Sequence, residues 1–375
     1  MTAGLAPGSD LAPAPASAHG PAPAPTLTDA GPWFEGTDGP FRDLTDYILG
    51  ITHEIWESRQ IDRIHDYYSA DCVIYTLGGI IRGAATVVRN THETLQAFPD
   101  RLLIGDAVIG SREGYGQFYS SHRIASPMTN QGPSAFGPAT GRRVRILTIA
   151  DCVVENGVIT REWLVRDNGG LVEQLGFDPL VVARLQAAVP LQAEHALWLR
   201  AAHARARQAP ESQGMAIAAV APTRGSPGTP QAAVDTGAGQ FSAAVLRNNW
   251  LHGDRDALRR HYAPYALVQD SAPQASGVAA IDAHYAELRR IFGQASLSVD
   301  HVCAQPGEGL TSNLAVRWTL AAQHTGAGWG LPATGREVTI LGITHWQLVA
   351  GRIASEWTIL DRIAVLAQLL RPGNG

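Results

Sequence analysis

The chain repeats itself. The stretch from Pro138 to Leu175, PATGRRVRILTIADCVVENGVITREWLVRDNGGLVEQL, returns from Pro332 to Leu369 as PATGREVTILGITHWQLVAGRIASEWTILDRIAVLAQL. The offset is constant (332 − 138 = 194) and also relates Trp357 to Trp163 and Asp361 to Asp167. A repeat this long without a gap means two copies of one domain, and a chain of 375 residues has room for two. Each copy carries Pro-Ala-Thr-Gly-Arg, two strand-like runs around a turn, and Glu-Trp-x-x-x-Asp.

The same offset organises the preceding residues. Leu44, Tyr47, Ile48, Ile51 and Ile55 recur at helical spacing, so a first helix is predicted before Trp56. A short helix follows at 61–68, then a strand at 72–77, a turn at Gly78-Gly79 and a helix at 84–98 closed by Pro99. From Leu102 onward the pattern is a four-strand meander whose last two strands flank Asn156-Gly157, a strong hairpin signal. The second copy keeps the order, with Trp250, Tyr262, Gly277, Phe292, Asp300 and Arg317 matching Trp56, Tyr68, Gly83, Phe98, Asp106 and Arg123. The expected class is α+β: two tandem cone-shaped domains, each of about three helices packed on a curved antiparallel sheet. The expected boundaries are an Ala/Pro-rich disordered tail (1–35), a first domain (36–178), a helical connector broken at Pro190 with a flexible linker (179–239), and a second domain (240–375).

Composition narrows the function classes. The net charge is −5, and no dense basic run offers the clustered cations that nucleic acid requires. Every basic residue is Arg, which removes Schiff-base lysines and the phosphate lysine of nucleotide-binding loops. Cys72, Cys152 and Cys303 are too scattered for a zinc ribbon or disulfide framework, and the histidines show no ligand spacing, so no metal is expected. No nucleotide-binding or serine-hydrolase motif is present, so no cofactor is expected. No apolar run is long enough to span a membrane, and the N-terminus lacks the pattern of a secretory signal; a cytoplasmic protein is expected.

The residues Gly157-Val158-Ile159-Thr160-Arg161-Glu162-Trp163, Asp167 and Gly170-Leu171-Val172-Glu173-Gln174-Leu175-Gly176 resemble the SnoaL-like polyketide cyclase and ester-cyclase branch of the nuclear transport factor 2-like superfamily. In the second copy the resemblance rests on Gly351-Arg352-Ile353, Glu356-Trp357, Asp361 and Gln368-Leu369, with His324-Thr325-Gly326 before Pro332-Ala333-Thr334-Gly335-Arg336. It covers both repeats and neither the tail nor the linker. It implies the cone fold and a small hydrophobic partner, and in the family an acid/base role for the Asp four residues after the Trp, assisted by a His on a neighbouring strand. Asp167 and Asp361 match that Asp, and His324 matches the His. Asn130 stands where the first copy would carry it, and an Asn orients a carbonyl but shuttles no proton near neutral pH.

Strand alternation puts residues 163, 165 and 167 on one face. Trp163 and Val165 are apolar, so this face is expected to line the cone, with Asp167 at the end of an apolar row and its pKa raised by desolvation; Trp357, Ile359 and Asp361 repeat the arrangement. The competing reading is that each Asp caps the helix that follows. Glu162 and Glu356 fall on the opposite face and are expected at solvent or in ion pairs. Trp163 and Trp357 are candidate pocket walls. Arg123 and Arg317, on apolar strands, are candidate anchors for a carbonyl or carboxylate, or else edge ion-pair residues. Tyr75, with Tyr67, Tyr68 and Tyr262, is a candidate hydrogen-bond donor to substrate or a rim residue.

Two functions follow as expectations. One is a cofactor-free acid/base catalyst (cyclisation, isomerisation, hydration or dehydration) on a small hydrophobic carbonyl compound, with Asp361 and His324 in one site and Asp167 and Asn130 in a second. The other is a non-catalytic binding protein or scaffold, its two cones packed as a fused pseudo-dimer. A hollow cone favours the first and a filled cone the second.

Overall fold

The computed structural model describes residues 41–114, 116–209, 237–269 and 274–372. The expected tail and most of the expected linker lie outside these residues. The first copy contains α1 (Leu44–Thr52), a π turn (His53–Glu57), α2 (Ile64–Tyr67), β1 (Tyr68–Thr76), β2 (Gly79–Arg82), α3 (Ala84–Ala97), β3 (Ile104–Gly114), β4 (Gln117–Thr129), β5 (Arg143–Glu155), β6 (Val158–Arg166) and α4 (Asn168–Leu175). Helices α5 (Pro179–Ala188) and α6 (Ala193–Gln208) follow, separated at Pro190. The second copy contains α7 (Gly237–Arg247), a π turn (Asn248–His252), α8 (Arg255–His261), β7 (Tyr262–Gln269), β8 (Ala275–Ser276), α9 (Gly277–Ile291), β9 (Phe292–Pro306), β10 (Thr311–His324), β11 (Glu337–Val349), β12 (Arg352–Leu360) and α10 (Arg362–Leu370).

The two sheets have six strands each, in the orders β2-β1-β6-β5-β4-β3 and β8-β7-β12-β11-β10-β9. The early strand of each copy runs parallel to the last, β1 beside β6 and β7 beside β12, and the other neighbours are antiparallel. Each copy is therefore α+β, as the sequence predicts, with one strand more than expected: the residues after Gly78 extend into β2 instead of ending in a turn. The β5–β6 hairpin turns at Asn156 (φ 51°) and Gly157 (φ 83°), the paired left-handed geometry that closes two-residue hairpins. Ala350 (φ 48°) and Gly351 (φ 78°) repeat it.

Strands β4, β10 and β11 are buried on nearly every residue. One face of each sheet packs on its own helices, and the other packs on the sister sheet, joined on the second copy's sheet by the connector helix α6. The seam between copies holds Ile109, Tyr119, Val153, Cys303 and Ala315, with Trp163 against them. Two cation–π contacts cross it in mirrored fashion: the Arg317 guanidinium lies 3.5 Å from the Trp163 ring centroid, and that of Arg123 lies 3.6 Å from the Trp357 ring. Ser121 bonds His345 at 2.7 Å, and Asp151 accepts from Tyr119 at 2.6 Å and stands 3.5 Å from Arg317. The tandem copies thus form an intramolecular pseudo-dimer.

This seam corrects the expected sidedness. The face carrying Trp163 and Val165 is not the cone interior; it is the face one copy presents to the other. Glu162 and Glu356, expected at solvent or in ion pairs, are 4% and 0% exposed and form no ion pair among the described residues. The physical reason lies in the packing. When both faces of a strand are buried, apolar residues accumulate on both, and hydrophobicity no longer distinguishes inside from outside.

Candidate active site

Strand β6 turns Glu162, Leu164 and Arg166 into the first cone, where they line a cavity of about 150 Å³. The same concave sheet face adds His122 and Ile124 from β4 and Thr148, Ala150 and Cys152 from β5, and the helical side adds Ile48 and Ile51 of α1, Trp56 on the π turn and Thr91 of α3. Tyr68 opens β1 and donates to Glu162 Oε2 at 3.0 Å. Burial pushes the Glu162 carboxyl up to about 7, although the Tyr68 bond and the Arg166 charge pull the other way. Burial also pushes His122 down to about 4, so its imidazole is neutral, and His122 Nε2 has no hydrogen-bond partner among the described residues. Burial raises the Tyr68 phenol well above its ordinary value and keeps it a donor.

Asn90, Thr94, Arg101, Leu164 and Arg166 belong both to this cavity and to an outer chamber of about 770 Å³. The outer chamber is shared property. The loop at 133–136 and Leu171 supply one side, His195 and Leu199 on α6 another, and Asp361, Ala364, Gln368 and Arg371 of the second copy the rest. The site of the first copy is thus walled in part by its sister and by the connector.

In the second cone, among the described residues, donors and aromatic rings crowd the glutamate. Glu356 accepts from Tyr262, Tyr285, Trp346 Nε1 (2.8 Å) and Thr358 (2.8 Å). Trp318, Trp346 and Tyr285 stand where the first copy has Ile124, Cys152 and Thr91, and all three are at most 1% exposed. Trp250 packs on two of them, with ring centroids 5.0 Å from Trp318 and 5.8 Å from Tyr285.

The model of the SnoaL-like polyketide cyclase family matches residues 47–175 and 242–369, more than half of the chain. The chain belongs to that family. Solved structures similar to it include a protein described as a SnoaL-like polyketide cyclase from Jannaschia sp. CCS1, at 24% identity over 36% of this chain and 94% of that one, TM-score 0.31. TsrD from Streptomyces laurentii follows at 22% identity over 37% and 96%, TM-score 0.30. A SnoaL-like polyketide cyclase from Agrobacterium tumefaciens follows at 18% over 36% and 98%, TM-score 0.29. A search of curated proteins finds no match.

Within this SnoaL-like pair, the residues singled out from sequence fall in three places. Asp167 and Asp361 cap α4 and α10: Gly170 N donates to Asp167 Oδ1 at 2.7 Å, and Ala364 N donates to Asp361 Oδ1 at 3.0 Å. Asp361 also accepts from Asn168 Nδ2 at 2.6 Å and faces the outer chamber, and burial pushes it up to about 6. Asp167 is not among the residues lining either cavity. Asn130 and His324 do one job in two chemistries. Asn130 Oδ1 accepts from Thr140 N at 2.9 Å, and His324 Nδ1 accepts from Thr334 N at 3.2 Å, so each pins the Pro-Ala-Thr-Gly loop of its copy. Burial lowers the His324 pKa, which favours the neutral ring that this acceptor role needs. Trp163, Trp357, Arg123 and Arg317 lie in the seam, and Arg123 also donates to Asp106 at 2.8 Å. Tyr75 stacks between Trp163 and Trp198, centroids 5.5 and 5.6 Å away.

The cavity residues Glu162, His122, Arg166 and Arg101 are absent from the sequence-based site. A signal for them was nevertheless present. At the constant offset, His122, Arg166 and Arg101 face Val316, Leu360 and Ala295, so the two copies differ where the cone lining does. Among the described residues no group of three or more His, Cys, Asp or Glu side chains converges as a metal site, and no helix is long and apolar enough to cross a membrane.

Proposed function

We propose that this SnoaL-like chain is a cofactor-independent acid/base enzyme acting on a small hydrophobic carbonyl compound, and that its reaction takes place in the first cone. The observation that carries this reading is a hollow cone around a protonatable carboxyl: Glu162 faces about 150 Å³ of space with its pKa raised to about 7. A carboxyl with a pKa near the working pH takes and returns a proton at comparable cost, which suits proton abstraction beside a carbonyl. In this reading Glu162 is the acid/base, Tyr68 fixes one of its oxygens, and neutral His122, two strands along the same sheet on β4, holds the carbonyl or enolate oxygen through its unpartnered Nε2. Cyclisation, isomerisation and hydration or dehydration all share this step. Asp167 and Asp361 then act as caps, with Asp361 also facing the outer chamber, instead of as the proton carriers that the family resemblance implies.

The filled second cone favours the scaffold reading for that copy alone. Its glutamate is saturated with donors, and its aromatic rings occupy the interior. It supports the first copy by closing the seam and walling the outer chamber.

The test is to identify by mass spectrometry the small molecules retained by the purified full chain and to follow their turnover. The wild-type protein is expected to retain a compound that Cys152→Trp releases, because this substitution copies Trp346 into the first cone. Turnover is expected to require Glu162. Retention unaffected by Cys152→Trp, or turnover unaffected by Glu162→Gln, overturns the reading.

A further inference from the structure

Two arginines stand at the neck between the inner cavity and the outer chamber. Arg101 and Arg166 are the two cationic side chains common to both linings. Their surroundings differ from those of the two arginines buried in the seam. Arg123 pairs with Asp106, and Arg317 with Asp151 and Tyr119. Arg101 has no carboxylate partner among the described residues. The charges that act on it are Arg166 and Arg59, both cations, and its Nε is buried without a hydrogen-bond partner. Arg166 feels Glu162 on the inner side and Asp361 on the outer side, yet makes no ion pair within 4.0 Å with either among the described residues. Burial and the neighbouring cations push the Arg101 guanidinium down to about 9, still charged at neutral pH.

Arg101 and Arg166 are half-buried, and a half-buried cation beside a second cation costs free energy unless an anion offsets it. The fold does not ask for this cost. At the constant offset the second copy keeps the same strands and carries Ala295 and Leu360 in place of Arg101 and Arg166. Where the cone is filled the pair is missing, and where the cone is hollow it is present. The remaining ionisable side chains along the two linings are Glu93, Glu162, Tyr68, Cys152, His122, His195, Asp361 and Arg371, and none of the three carboxylic acids forms an ion pair with Arg101.

Resting on the first cone as the active site, we infer that its ligand carries a carboxylate, seated at the neck between Arg101 and Arg166, with its apolar body in the inner cavity against Ile124, Ala150 and Leu164. Two guanidinium forks offer planar paired donors that match the two carboxylate oxygens. The carboxylate end holds the molecule while its carbonyl end reaches Glu162, so the substrate is a hydrophobic keto acid or a similar acidic carbonyl compound, not a neutral one.

The experiment is calorimetric titration of the full chain with naphthoate and with naphthamide, which share an apolar body and differ in charge. Wild-type protein is expected to bind naphthoate more tightly than naphthamide. Arg101→Ala and Arg166→Leu, which copy the second cone, are expected to weaken naphthoate about tenfold or more, the size of a hydrogen bond to a charged group, and to leave naphthamide nearly unchanged. Arg101→Gln serves as a second variant of the same volume class. No binding of naphthoate to the wild type, equal binding of the two probes, or a preference that survives both arginine substitutions overturns the inference. The underlying reading is tested separately by Cys152→Trp: loss of both probes keeps the first cone as the site even if the charge preference fails, whereas binding that survives the plug removes the site itself.

Discussion

Two glutamates at equivalent positions, Glu162 and Glu356, show how one fold can hold a carboxyl for two purposes. Glu356 accepts from two tyrosines, a tryptophan and a threonine, and three large rings fill the space beside it. Glu162 keeps one tyrosine and a cavity. A buried carboxylate whose acceptor capacity is used up rigidifies the core around it, whereas one left with spare capacity stays open to a proton or a ligand. The exchanges responsible are few: Thr91 for Tyr285, Ile124 for Trp318, Cys152 for Trp346. Duplication lets one cone give up its cavity while the other keeps it.

The widest expected divergence is in rate. Glu162→Gln is expected to reduce turnover of the retained compound by about 10²–10⁴-fold, the usual worth of a positioned acid/base group, with the circular dichroism spectrum unchanged. Equal losses from Glu162→Gln and Glu356→Gln would break the distinction between the cones.

Next comes packing. Trp318→Ala removes a ring with no exposed surface and is expected to cost about 3–5 kcal/mol in urea unfolding. Ile124→Ala opens onto an existing cavity and is expected to cost less than a change at a close-packed site.

Protonation gives the third contrast. The folded-state pKa of Glu162 is raised from 4.5 to about 7, so the folded protein binds this proton more tightly than the unfolded chain. Stability from this group is full below about pH 4.5, falls as pH rises through the window, and levels off above about 7; the total is about 3 kcal/mol. Glu162→Gln is expected to flatten that slope in denaturation measured from pH 4 to 8 and to stabilise the protein at the alkaline end. Glu356→Gln is expected to destabilise it there, because an amide offers one acceptor oxygen to donors that now share two.

The smallest effect sharpens the reading of the two aspartates. Asp167→Ala removes a helix cap and is expected to cost about 1 kcal/mol, while Asp167→Asn keeps the cap and leaves both stability and turnover near those of the wild type. A collapse of turnover in Asp167→Asn would return the acid/base role to that residue.

Much of the fold was legible without coordinates. The constant offset shows the duplication, Asn156-Gly157 marks the hairpin, and helical spacing from Leu44 to Ile55 marks the helical start of the first copy. The site was less legible. Trp163 and Val165 read as the lining because they are apolar, and the acid/base role of Asp167 and Asp361 came from the family resemblance, with helix capping as the competing reading. Asn130 and His324 looked like a gained or lost proton shuttle, yet each serves as an acceptor for its loop threonine.

The sequence by itself determined that there are two copies and, apart from the short edge strands β2 and β8, which elements each contains and in what order, because periodicity and turn chemistry are local. It also held the differences between the linings, Arg101, His122 and Arg166 against Ala295, Val316 and Leu360. Only the tertiary structure decided which face of β6 looks into the cone. Docking of one sheet on the other buries both faces, and with both faces dry the alternation of apolar and polar side chains loses its meaning; the direction in which Glu162 points is fixed by what packs against Trp163.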